Sequence, residues 1–106
     1  VLPMIPRKLE LSAILYLQSP VKGGELTIFH KMWNKKDEMM RDPEFGYSAD
    51  LIKGVYRTKI APIAGNMVIL NPKFYHQIES ILGLKSRITL SFFFGESSND
   101  CLYSWT

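Results

Sequence analysis

A histidine and an arginine in the last third of the chain are the residues best suited to chemistry. His76 stands in Phe74-Tyr75-His76-Gln77-Ile78, and Arg87 opens Arg87-Ile88-Thr89-Leu90-Ser91-Phe92-Phe93-Phe94. A neutral imidazole offers one lone pair to a metal ion. A guanidinium offers a planar fork that takes a carboxylate bidentately, and a hydroxyl two residues on can complete the grip. Carried on neighbouring strands and aimed into one barrel, the two groups would hold a metal and an anionic cosubstrate side by side. On a strand, Arg87, Thr89, Ser91 and Phe93 share one face, while Ile88, Leu90, Phe92 and Phe94 share the other. The polar row reads either as the solvent face of a sheet edge or as the lining of a polar lumen. His76 falls on the face of Phe74 and Ile78, where it is either a satisfied core or rim residue or a ligand.

The elements that must position these groups are short strands. Leu9 to Leu17 is rich in strand formers and closes at Ser19-Pro20 and Gly23-Gly24. Glu25 to His30 alternates with period two and is expected to form a hairpin-like pair with it. A long polar stretch follows, a lid or binding loop over 31–54, in which Met39 and Met40 are expected to anchor a short helix. Val55 to Ile60 alternates again, and Pro62 and Gly65 bracket a turn before Asn66 to Leu70. Tyr75 to Ile81 and Arg87 to Phe94 are the last two strands, and 96–106 reads as an irregular tail with Tyr103 and Trp105 packed back on the body. About six short strands with turns marked by Gly and Pro imply a mainly β fold, an antiparallel sandwich or jelly roll. Six is fewer than a complete double-sheet roll holds, so the first strands are expected upstream of Val1.

Bulk composition narrows the classes. The 106 residues allow one domain, 1–106. Hydrophobic residues at 46% and charged residues at 22% give ordinary globular composition rather than disorder. A net charge of +3 is mild and the basic residues are scattered, so no nucleic-acid partner is expected. The lone cysteine, Cys101, rules out an internal disulfide and a multi-cysteine zinc site. It reads as a small, half-buried apolar residue, and sparing cysteine use fits a reducing, cytoplasmic compartment. No apolar run approaches the roughly 18–20 residues of a membrane span, and no charged-then-apolar leader opens the chain.

Four motifs, in order over about residues 9 to 95, resemble the iron(II)- and 2-oxoglutarate-dependent oxygenases of the prolyl-hydroxylase-like branch. Leu11-Ser12-Ala13-Ile14-Leu15-Tyr16-Leu17-Gln18 is similar to that branch's strand ending in Tyr-Leu-Asn. Gly23-Gly24-Glu25-Leu26 resembles its glycine turn into the next strand, and Pro62 to Leu70 its Pro-x-x-Gly-(Asp/Asn)-apolar run. His76 with Arg87 and Thr89 resembles the distal metal-ligand histidine followed by the cosubstrate-binding Arg-x-Ser/Thr. The resemblance implies a double-stranded β-helix. It makes His76 one member of a two-His-one-carboxylate triad on Fe(II), with Arg87, Thr89 and Tyr16 on the distal carboxylate of 2-oxoglutarate. Trp33 and Tyr47 become candidate substrate contacts, or else anchors of their loop. Ascorbate is a possible reductant, and the substrate would be a small molecule or a protein side chain. The branch's first metal motif, His-x-Asp/Glu, should precede Leu9 and is not found in Val1 to Lys8. His30 stands where the branch places no ligand. The chain is therefore expected to be the carboxyl-terminal part of a larger enzyme, a hydroxylase by default. It would be a halogenase if Gly or Ala replaces the absent carboxylate and a halide takes its place. A non-catalytic jelly-roll binding module is the alternative. Exposed sheet edges would favour association of the isolated segment.

Overall fold

The computed structural model describes residues 7–44, 46–97 and 102–105. In chain order these form β1 (Arg7–Gln18), β2 (Lys22–Gly23), β3 (Leu26–Met32), a 3-10 helix (Lys35–Met40), β4 (Arg41–Asp42) and β5 (Gly46–Tyr47). A second 3-10 helix (Ala49–Ile52), β6 (Arg57–Ile60), β7 (Met67–Leu70), β8 (Phe74–Ile78), β9 (Ile81–Leu82), β10 (Ile88–Ser97) and β11 (Leu102–Trp105) follow. Two antiparallel sheets carry the architecture, ordered β11-β10-β1-β7 and β6-β3-β8. From β6 onward, the long strands β7, β8 and β10 alternate between the sheets, the winding of a jelly roll.

That winding corrects one expectation. β1 and β3 do not pair as a hairpin: β1 lies between β10 and β7, and β3 between β6 and β8. The connection around Ser19-Pro20 carries the chain across from one sheet to the other. Proline has no amide hydrogen to give a ladder, and it ends β1 there. β2 and β9 then form a small bridge beside the crossover, Lys22 opposite Leu82 and Gly23 opposite Ile81.

The tail also departs from the expected irregular course. Leu102–Trp105 pairs with β10, and Trp105 stacks on Phe93 with ring centroids 6.0 Å apart. An aromatic pair directly opposite across two strands stabilises such pairing by a few tenths of a kcal/mol to ~1 kcal/mol. Cys101 lies outside the described residues. The 31–54 stretch is ordered by local chemistry rather than by its methionines. Met39 is 91% exposed, whereas Asn34 and Asp37 form a reciprocal capping box at the start of the first 3-10 helix.

Among the described residues the fully buried side chains include Ala13, Tyr16, Leu26, Thr27 and Phe29, with Leu70 close behind. Thr27 needs a partner at zero exposure, and its hydroxyl donates to Glu79 Oε1 at 3.0 Å. By contrast Met67, Ile69, Leu90 and Ile88 stay about half exposed, an apolar strip along one face of the four-stranded sheet. Among the described residues, no helix is long and apolar enough to cross a membrane.

Candidate functional site

β10 is turned so that its polar row points inward. Arg87, just before the strand, and Thr89 are half-buried, while Ile88 is 46% and Leu90 51% exposed. Ser91, the third member of the row, is exposed. Thr89 stands directly opposite Tyr16 of β1, so the two side chains share a face. Tyr16 is only 1% exposed; burial pushes its phenol up, and the nearby Arg87 guanidinium partly offsets this. A guanidinium, a hydroxyl and a buried phenol thus converge from two paired strands, and all three can donate hydrogen bonds.

Gly24 permits this arrangement. Its φ of +77° lies in the left-handed region, and a Cβ built there would sit 3.2 Å from Arg87 Cδ. The arginine stem packs on the space a side chain would fill.

His76 lies on β8 in the other sheet, opposite Ile28 of β3 and on the same face as the Leu26–Ile78 pair. His76 and Arg87 are therefore on opposite sheets rather than on neighbouring strands, because the chain crosses over between β8 and β10. The imidazole is exposed, and its Nδ1 lies 2.7 Å from the Phe74 carbonyl oxygen. A carbonyl can only accept, so Nδ1 carries the hydrogen and the neutral ring presents its lone pair at Nε2. Donation of the second ring nitrogen to a backbone carbonyl is the arrangement that orients a metal-ligating histidine. His30 is differently occupied: Nε2 bonds Thr58 Oγ1 at 2.8 Å, and the ring meets Tyr56 edge-on. Among the described residues no group of three or more His, Cys, Asp or Glu side chains could hold a metal ion. One imidazole suits iron; a complete ligand set does not lie within these residues.

Trp33 and Tyr47 form a separate cluster around the first 3-10 helix. Tyr47 donates its hydroxyl to Glu38, Trp33 Nε1 donates to the same carboxylate oxygen at 3.0 Å, and Tyr47 packs edge-on against Tyr75. The hydrogen bond from Tyr47 leads the effects holding the Glu38 carboxyl below the ordinary range. Next to Glu38, Asp37 is 7% exposed and receives the Tyr75 hydroxyl at 2.7 Å, the Lys31 ammonium at 3.2 Å and the Asn34 amide at 3.1 Å. These donors, Tyr75 first, lower its carboxyl, while burial and then Asp37 raise the Tyr75 phenol. A cavity of about 410 Å³ runs along β8, with Trp33, Tyr47, Phe74 and His76 among its walls. Asp37 was not among the residues picked from the sequence. The Asn34-x-x-Asp37 spacing was the available signal, a capping pattern of the kind that starts helices.

Comparison with known proteins bears on the family and the fold. The chain is 38% identical over 85 residues to "Leucinostatins biosynthesis cluster protein S" of Purpureocillium lilacinum, covering 74% of this chain and 35% of that protein. It is 26% identical over 91 residues to the L-gamma-glutamyl-L-propargylglycine hydroxylase of Streptantibioticus cattleyicolor, covering 86% of this chain and 34% of that protein. The chain thus spans about a third of the length of these curated relatives. Among solved structures it resembles an N-substituted L-amino acid dioxygenase from Burkholderia ambifaria AMMD in complex with alpha-KG, with a TM-score of 0.72. That likeness covers 92% of this chain and 39% of the other at 12% identity, and so speaks for the fold alone. The same dioxygenase without that ligand in its description gives a TM-score of 0.71 at 15% identity. With residues 3–106 matching the carrier-protein-independent halogenase WelO5 family, the chain belongs to that family.

Proposed function

We propose that this chain is the cosubstrate-binding portion of an Fe(II)- and 2-oxoglutarate-dependent oxygenase. The observation that carries the reading is the inward turn of Arg87 and Thr89 beside buried Tyr16, with Ile88 and Leu90 facing out. A strand that half-buries Arg87 and Thr89 while leaving Ile88 and Leu90 exposed has room for a charged guest. Arg87 takes the distal carboxylate of 2-oxoglutarate as a bidentate pair, and the hydroxyls of Thr89 and Tyr16 are donors to the same group. His76 Nε2 is one iron ligand, and the triad is completed by groups outside the described residues. When bound, iron and 2-oxoglutarate supply oxidation of a C–H bond by O2, coupled to oxidative decarboxylation of the keto acid. Trp33 and Tyr47 are candidate substrate contacts along the cavity beside β8, for a small molecule or a protein side chain. A reducing, cytoplasmic setting belongs to the same reading.

The family name favours a second outcome for the same site, halogenation, since halide can replace a ligand carboxylate. The test uses the full-length protein, loaded with iron and assayed for 2-oxoglutarate turnover with and without chloride or bromide. His76→Ala should lose iron, and Arg87→Ala should keep iron but weaken 2-oxoglutarate binding. Retention of both properties in both variants sinks the assignment and leaves a non-catalytic jelly roll.

A further inference from the structure

The ladder that holds β8 is broken beside His76. Pairing with β3 runs Leu26 opposite Ile78, Thr27 opposite Gln77 and Ile28 opposite His76, and then resumes only at Met32 opposite Phe74. Four steps along β3 therefore match two along β8, a bulge next to the imidazole, and Tyr75 is the β8 residue it leaves out of register with β3. β8 also ends its sheet among the described residues, so no strand on the other side compensates. Bulges commonly sit next to functional sites and re-aim a side chain, which then needs support from elsewhere.

That support comes through Tyr75. Its hydroxyl donates to Asp37 Oδ2, and the same oxygen receives Lys31 of β3 and the Asn34 backbone amide. Lys31 also lies over the Tyr75 ring, 5.5 Å from its centroid. One carboxylate oxygen therefore ties β8, the bulged part of β3 and the loop beyond it into a single unit. A carboxylate that is only 7% exposed in a short 3-10 helix is unusual enough to require such a set of donors.

We propose that Asp37, acting through Tyr75, is a positioning residue for His76: it replaces the missing ladder and fixes the direction in which Nε2 points. The inference rests on the reading of His76 as a metal ligand. Groups hydrogen-bonded to a ligating histidine change metal affinity by about 10- to 100-fold when removed, and a contact acting through the neighbouring residue's backbone should fall at the low end of that range.

The test is a titration of the full-length protein with Co(II) alone, followed by absorption of the bound ion, in the absence of substrate. Tyr75→Phe deletes one hydroxyl, and about tenfold weaker Co(II) binding with a changed absorption spectrum is expected. Asp37→Ala should do the same. Asp37→Asn, which keeps an oxygen acceptor in place, should stay within about threefold of the parent. The double variant Tyr75→Phe/Asp37→Ala should be no weaker than the worse single one, because both act through one contact. Ser19→Ala removes a comparable hydrogen bond, from the Ala64 amide at 2.7 Å, away from β8, and should leave Co(II) affinity unchanged. Parental Co(II) affinity in Tyr75→Phe, or additive losses in the double variant, overturns the proposal while His76→Ala still abolishes binding. Parental affinity in His76→Ala overturns both this proposal and the ligand reading beneath it.

Discussion

Replacing Gly24 by alanine places a methyl group 3.2 Å from Arg87 Cδ, 3.0 Å from Ile81 Cγ2 and 3.3 Å from Pro20 Cγ. Two costs follow. The backbone at φ +77° disfavours any L side chain by about 1–2 kcal/mol. The three contacts are all with side chains, so they yield by a few tenths of an ångström rather than breaking the fold. The stability loss should therefore stay near 1–2 kcal/mol, read from urea unfolding. Arg87 is the neighbour with the freedom to move, and its displacement tilts the guanidinium fork. Hydrogen bonds to charged groups contribute about 1.5–3 kcal/mol. Losing about a third to a half of that, ~1 kcal/mol, weakens 2-oxoglutarate roughly fivefold. The assay is calorimetric titration of the metal-loaded full-length protein with 2-oxoglutarate. Gly65→Ala is the matched control: its φ is +91°, yet a Cβ there meets nothing within 4 Å. It should show the stability loss without the affinity loss. Equal weakening in both variants, or none in Gly24→Ala, would refute the link between that glycine and the arginine.

Further outcomes are expected. Arg87→Lys keeps the charge but loses the planar fork, and 2-oxoglutarate affinity should fall about tenfold, measured by the same titration. Thr27→Val leaves Glu79 with Lys59 at 3.8 Å and Gln77 at 3.4 Å but removes its closest donor, so unfolding free energy should drop by about 1–2 kcal/mol. The depressed carboxyl of Asp37 contributes stability that is fully present above the ordinary value of 3.8 and is lost as pH falls through the lower folded value. Amide exchange in the first 3-10 helix should accordingly be flat from neutral pH to ~5 after correction for intrinsic rates, and loosen below ~4. Asp37→Asn should abolish that acid step. The 106-residue segment expressed alone should self-associate through the free edge of β8 and the apolar strip at Met67, Ile69 and Leu90, and sedimentation velocity would report it. A stable monomer would contradict this.

Much of the architecture could be read from alternation and turn residues. The strands at Arg57–Ile60 and Met67–Leu70 fall within two residues of where the sequence pattern put them, whereas the one expected over Tyr75 to Ile81 ends at Ile78 and Ile81 belongs to the short β9. Sheet membership could not be read that way. Period two says that Leu9 to Leu17 and Glu25 to His30 are extended, but nothing local says that Pro20 sends them to different sheets. The facing of β10 was ambiguous for a similar reason. Arg87, Thr89 and Ser91 on one side are compatible with a solvent edge or a polar lumen, and only burial distinguishes the two. Asp37 escaped notice because a charged residue in Lys35-Lys36-Asp37-Glu38 looks like part of a solvated run. Its role depends on Tyr75, which is distant in sequence and arrives by tertiary packing.

The uninterrupted register between β1 and β10 runs from Leu9 opposite Glu96 to Tyr16 opposite Thr89, with an irregularity at each end. A slip of one residue along that run would preserve most backbone hydrogen bonds. It would also turn Arg87 and Thr89 out to water and bring Ile88 and Leu90 in. Such a misaligned product would look folded by circular dichroism and even gain hydrophobic burial, yet it would be blind to any anion. The two flanking irregularities act as stops against that outcome. On the proposed reading of Arg87, loss of cosubstrate recognition can therefore arise from a shifted seam as well as from an altered side chain.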